Sequence, residues 1–145
     1  MRVWAVPLLV VLAHAPARDE VCPGDRGARL AVEPGTAYVT LDDGVTRVVS
    51  LPSGTVRERR AAAAGLDAVQ GLSATVGEKT YRAQGDCRKS ELGAGDGEPY
   101  VTRGMIVAVA AAGTTVVALR HDGVLVIVPP RGKPRPRVVG WRQVR

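Results

Sequence analysis

The sequence contains no phenylalanine, its aromatic content is 3%, and only one histidine, His121, lies beyond residue 14. A core therefore has to be assembled from Val, Leu, Ile and Ala. So few aromatics leave no stacking platform for bases, so specific nucleic-acid binding is not expected. No Gly-x-Ser-x-Gly elbow is present, and one histidine is a thin basis for a nucleophilic triad. Two cysteines with no histidine beside them do not make a structural zinc set, which takes four ligands. Gly93-x-Gly95-x-Gly97 is not followed by Lys-Ser/Thr, so a phosphate-cradling P-loop is excluded and the stretch from Gly93 to Pro99 reads as a flexible loop. Nothing here points to an enzyme, a metal or a cofactor.

What is present is ordinary in bulk. The chain has 145 residues, 46% of them hydrophobic and 23% charged, which suits one modest globular domain. Arg outnumbers Lys by 17 to 3 among abundant Ala, Gly, Val and Pro, a bias that reads as GC-rich coding. The formal net charge of +6 is not spread evenly. Residues 131–145 hold Arg131, Lys133, Arg135, Arg137, Arg142 and Arg145 with no acid, while residues 1–130 are balanced.

The first residues read as an address. Met1-Arg2 is a cationic start, Val3 to Ala13 is an apolar run, and Ala15-Pro16-Ala17 offers a small-x-small cut before charge begins at Arg18. This is the layout of a secretory signal peptide over residues 1–17, and the run is short of the roughly 20 residues a spanning helix needs. A secreted or periplasmic mature chain is expected. In an oxidising compartment the two cysteines, Cys22 and Cys87, are candidates for a disulfide. Such a bond would close a loop of about 66 residues, roughly 4 kcal/mol in the chain-entropy picture.

The body of the chain, residues 18–130, is β-rich. Ala37 to Leu41 alternates, Asp42-Asp43-Gly44 turns, Val45 to Leu51 follows, and Pro52-Ser53-Gly54 turns again. Asp-Gly between β-rich runs is a strong hairpin signal. The pattern returns as Thr115 to Leu119, Asp122-Gly123, Val124 to Val128 and Pro129-Pro130-Arg131-Gly132, with the two Asp-Gly pairs 79 positions apart. Midway, Thr80 to Gln84, Gly85-Asp86 and Cys87 to Gly93 form a degenerate copy with the turn residues reversed. A period near 40 with four short strands per unit is a propeller signature. The near-continuous apolar stretch from Met105 to Leu119 reads as two strands covered on both faces, not as a membrane span. Glu58 to Leu72 is divided between a short helix, favoured by its alanines, and a strand or loop.

Ala37 to Val56, with Tyr38-Val39, Asp43-Gly44, Val48-Val49 and Ser53-Gly54-Thr55-Val56, resembles a blade of the quinoprotein-type or WD40-like β-propellers. Gly113 to Gly132 resembles another. The resemblance implies an all-β fold of repeated antiparallel hairpins, about three blades in an incomplete propeller, the alternative being a β-sandwich or barrel. The Trp that follows quinoprotein blades and the WD dipeptide are missing, and closed propellers have about four blades or more. No quinone is implied.

The remaining candidates are few. Asp42-Asp43 reads as a hairpin turn and not a calcium loop, and His121 as a turn-flanking surface residue and not a base. The basic segment 131–145 favours an extended backbone at Pro134 and Pro136. It could project its cations onto an anionic surface, or dock Val138-Val139 and Trp141 as a last strand. The expected function is a non-catalytic binding or scaffold domain. Its partners are an unknown protein or glycan, a further copy joined through open sheet edges, or an anionic surface met by the basic segment. A truncated remnant of a longer propeller is a further alternative.

Intact mass of the exported chain should place its N-terminus at Arg18, and alkylation should add mass only after reduction. Retention of residues 1–17 would overturn the export reading, and alkylation without reductant the disulfide.

Overall fold

The computed structural model describes residues 22–61, 67–95 and 97–139. The proposed signal peptide, Ala62 to Ala64 of the alanine run, Trp141, Arg142 and Arg145 lie outside the described residues.

The described residues form three four-stranded antiparallel sheets, each a simple meander. Strands β1 (Arg29–Glu33), β2 (Thr36–Thr40), β3 (Val45–Ser50) and β4 (Thr55–Ala61) make the first. The second contains β5 (Ser73–Val76), β6 (Lys79–Gly85), β7 (Ser90–Gly93) and β8 (Tyr100–Thr102). The third contains β9 (Ile106–Ala112), β10 (Thr115–Arg120), β11 (Val124–Val128) and β12 (Arg135–Val138). The expected all-β fold of repeated hairpins is the observed one, and the three sheets are compatible with propeller-like blades. The Asp-Gly turns are where the sequence puts them. Gly44 and Gly123 take φ of +75° and +93°, values that a side chain resists and glycine does not. Of the divided stretch from Glu58 to Leu72, the first four residues belong to strand β4, and residues 67–72 carry neither helix nor strand.

The third sheet lies between the other two. On β10 and β11, cross-strand partners share a face: Val117 with Ile127 and Leu119 with Leu125 on one side, Val116 with Val128 and Ala118 with Val126 on the other. The first set packs with Leu30, Val39, Leu41 and Val49 of the first sheet and its adjoining loop. The second packs with Ala83 and Leu92 of the second sheet. This is why the Met105–Leu119 stretch lacks polar alternation: neither of its faces meets water. Without phenylalanine the core uses Val, Leu, Ile and Ala, and alanines such as Ala108, Ala110 and Ala118 let the backbones of neighbouring sheets approach.

The first strand of each sheet faces inward, β9 packing against both β1 and β5. Residues 69–71, ahead of β5, lie at this centre. Val69 donates its N–H to the Leu30 carbonyl, and Gly71 accepts from Val109.

The outer strands are each blunted in a different way. β4 is charged at Arg57, Glu58, Arg59 and Arg60, and its pairing with β3 is irregular beside Val48 and Val49. β8 has three residues. β12 carries Pro136, tolerated in a sheet only at an edge. Charge, shortness and proline are the devices that discourage edge-to-edge pairing. The outer face of the first sheet is also guarded. Arg60 lies 5.7 Å from the Tyr38 ring centre, and the Tyr38 hydroxyl donates to Glu33 at 2.8 Å.

Leu119→Ala should lower unfolding free energy by about 3 kcal/mol, as for a fully enclosed leucine. Val101→Ala, at an exposed site of β8, should change it by less than about 0.5 kcal/mol. Urea unfolding measures both, and equal losses would contradict the central position of the third sheet.

Candidate functional site

The middle hairpin of every sheet ends at the same end of the molecule, and each of these turns carries an aspartate: Asp43 between β2 and β3, Asp86 between β6 and β7, Asp122 between β10 and β11. The segment from Cys22 to Ala28 crosses all three. Cys22 is disulfide-bonded to Cys87 in the second sheet's turn, with Cα atoms 5.3 Å apart. Arg26 donates its N–H to the His121 carbonyl in the third sheet's turn at 2.8 Å. Its own carbonyl accepts from Asp42 N–H in the first sheet's turn at 2.7 Å.

The first sheet neutralises its acids. Arg47 is buried at 5% exposure and grips Asp43 with both terminal nitrogens, at 2.9 and 2.7 Å. Val45 N–H also donates to Asp43, which fixes the turn by the usual aspartate-to-backbone bond. Arg26 pairs with Asp42 at 3.1 Å. In the third sheet Arg120 pairs with Asp122 and donates to Thr102 Oγ1 at 2.9 Å, tying the third sheet to β8.

The second sheet differs. Asp86 Oδ1 accepts from the backbone N–H groups of Arg88 and Lys89, at 2.9 and 3.2 Å. Those two bonds, helped by the nearby Arg88 and Lys89 charges, hold its carboxyl below the usual carboxylate range. The side chains of Arg88, Lys89 and Arg103 make no salt bridge to any described residue. With Gly85, Asp86, Val101 and Thr102 they line a cleft of about 680 Å³. A smaller hollow of about 270 Å³ lies where Arg82, Gln84 and Glu91 meet the glycine-rich loop.

The structure corrects one expectation. His121 is not a surface residue: it flanks its turn as expected but is 5% exposed. Three long-range contacts enclose it. Its N–H donates to the Met105 carbonyl, Arg26 covers its carbonyl, and Gly104, at φ +103°, abuts the ring, where a Cβ would stand 3.2 Å from Nε2. Its Nδ1 is buried with no hydrogen-bond partner among the described residues. Among those residues no three His, Cys, Asp or Glu side chains are grouped to hold a metal ion.

The basic candidates of the C-terminal segment are dispersed. Arg131 and Lys133 are exposed in the loop between β11 and β12. Arg135 is spent on the first sheet, donating to the Pro52 and Ser53 carbonyls at 2.6 and 3.0 Å. The aliphatic part of Arg137 lies over Gly54. Of the two arrangements open to this segment, a projecting tail or a last strand, residues 135–138 take the second. Arg88, Lys89 and Arg103 were missed in the sequence. The pair beside Cys87 was visible there, but nothing marked Arg103 as their neighbour. Comparison with family models, with curated proteins and with solved structures found no match.

Arg47's side-chain bonds hold the Asp43 carboxyl well below the usual range, aided by Val45 N–H and by the Arg47 and Arg26 charges and opposed by partial burial. A group depressed in this way stabilises the fold fully above its unfolded value, about 3.9, and loses that contribution as pH falls through the folded value. The melting temperature should therefore stay level down to about pH 5 and fall below about pH 4, and Asp43→Asn should flatten part of that fall. Asp43→Ala strands a buried guanidinium and should cost about 3 kcal/mol at neutral pH. Calorimetry across pH checks both, and an unchanged pH profile in Asp43→Asn would sink the assignment.

Proposed function

We propose that the mature chain is a secreted or periplasmic, non-catalytic binding module of three propeller-like blades that works as a monomer and meets its ligand at the stapled end. The observation that carries the reading is the crossing of three separate hairpin turns by one short segment. Turns fixed by a disulfide and by backbone bonds form a preorganised surface, and preorganisation lowers the entropic cost of binding.

Further features support it. The disulfide suits an oxidising compartment, and among the described residues no helix is long and apolar enough to cross a membrane. The blunted edges of β4, β8 and β12 and the guarded face over Tyr38 favour a monomer over joining copies edge to edge. No described carboxylate hydrogen-bonds His121, so the acid–base pairing that orients a catalytic histidine is missing from its surroundings.

Size exclusion with light scattering should give a monomer, and a stable dimer would overturn the stand-alone reading. A thermal-shift panel of saccharides, peptides and lipids should yield a compound that raises the melting temperature. Turnover of any panel member by the purified chain would overturn the non-catalytic assignment.

A further inference from the structure

We propose that the cleft between the β6–β7 turn and the end of β8 binds a phosphate or sulfate group carried on a saccharide. This rests on the binding-module reading and names its ligand chemistry. The argument is one of unequal pairing. At the stapled end Arg26, Arg47 and Arg120 all face carboxylates of their own or a neighbouring turn. The β6–β7 turn has an aspartate too, but Asp86 Oδ1 is bonded to the backbone of Arg88 and Lys89. Three cations, Arg88, Lys89 and Arg103, thus face one cleft with a single acid, which lies near Arg88 and Lys89 but forms no salt bridge with them, and the cleft keeps an excess of positive charge.

The site is also built to stay in place. Gly85 adopts φ +138°, and a Cβ there would collide with the Lys89 carbonyl oxygen, so the turn closes tightly only around glycine. Cys87, between Asp86 and Arg88, is anchored through Cys22. Thr102, next to Arg103, is held through its hydroxyl by Arg120 of the third sheet. The cations therefore project from a turn and a strand end fixed independently of any ligand. Guanidinium groups suit oxyanions through paired N–H donors.

Size selects the carrier. The cleft, at about 680 Å³, falls in the range of small-molecule sites and is far larger than a bare oxyanion needs. Val101, 50% exposed on its wall, offers an apolar patch to the face of a sugar ring.

Calorimetric titration with a heparin-derived tetrasaccharide and with inorganic phosphate, near physiological salt, tests the proposal. The tetrasaccharide should bind at a single saturable site, and phosphate more weakly. Arg88→Ser with Arg103→Ser should weaken the tetrasaccharide about tenfold or more, as two charge-assisted contacts are lost. Arg131→Ser with Lys133→Ser removes the same charge from another surface and should change affinity less than about twofold. Arg103→Glu alone, on a different element from Arg88, should abolish binding while the melting temperature holds. Equal losses in the two double variants would overturn the cleft and leave the module standing. Phosphate binding as tightly as the tetrasaccharide would overturn the saccharide carrier. So would anionic lipid vesicles binding through the same residues while the tetrasaccharide does not. Absence of saturable binding by all these probes would overturn the oxyanion proposal, and the module reading then rests on the ligand panel.

Discussion

The arrangement of the three sheets depends on the segment from Cys22 to Ala28. Two hydrophobic clusters hold the third sheet to its neighbours, one shared with the first sheet and one with the second. Neither cluster joins the first sheet to the second. That relation is set by residues 69–72, through Val69 at Leu30 and Leu72 at Ala83, and by the N-terminal segment, covalently at Cys22–Cys87 and through the Arg26 backbone at Asp42 and His121. A single arginine contributes N–H, carbonyl and side chain to this junction, so displacing it would unsettle two sheets at once. A disulfide across 65 positions restricts the unfolded chain strongly, and backbone bonds at the same place give it a defined native geometry.

The electrostatics of that end follow from local turn chemistry. An aspartate in a tight turn can serve its own backbone, a neighbouring arginine, or both. Asp43 does both, because Arg47 four residues on is buried beside it. Asp122 is paired by Arg120 two residues before it. In the degenerate second repeat the order is Gly85-Asp86, the cysteine follows, and the carboxylate Oδ1 accepts from two backbone N–H groups. The positions that carry Arg47 and Arg120 relative to their aspartates hold Ser90 and Gln84 here, so no arginine grips Asp86 as in the other two turns.

Legibility in the sequence tracked the range of the interaction. The Asp-Gly hairpins were readable because a positive φ at Gly44 and Gly123 is a local demand met by a local residue. The apolar run from Met105 to Leu119 announced a sheet covered on both sides, since alternation vanishes when neither face is wet. The second sheet was harder to see because Arg82, Gln84 and Glu91 occupy the face opposite Ala83 and Leu92, and its strands are short. Burial of His121 was not readable. Gly104 and Arg26, which enclose it, lie 17 and 95 positions away, and no local pattern encodes that meeting. The meeting of Arg88 with Arg103 has the same cause. The C-terminal segment was half readable: its prolines indicated extended backbone, and an extended segment beside β11 becomes an edge strand that accepts Pro136.

The order of sheets in space differs from their order in the chain, and this gives the last repeat a particular role. Both cysteines precede the third sheet, so the disulfide links the N-terminal segment to the second sheet without including β9 to β12. The first and second sheets each present an apolar face, Leu30, Val39 and Val49 on one and Ala83 and Leu92 on the other. The third sheet fills the space between those faces with side chains of opposite orientation from the same two strands. Its two-sided apolar composition is therefore a consequence of position: a sheet inserted between two others has no polar face to spare. The first and second sheets, having one neighbour each, keep polar residues on their outer surfaces, as terminal repeats of stacked assemblies do. Of the three turns pinned at the stapled end, the second sheet's is the one whose cations form no salt bridge among the described residues.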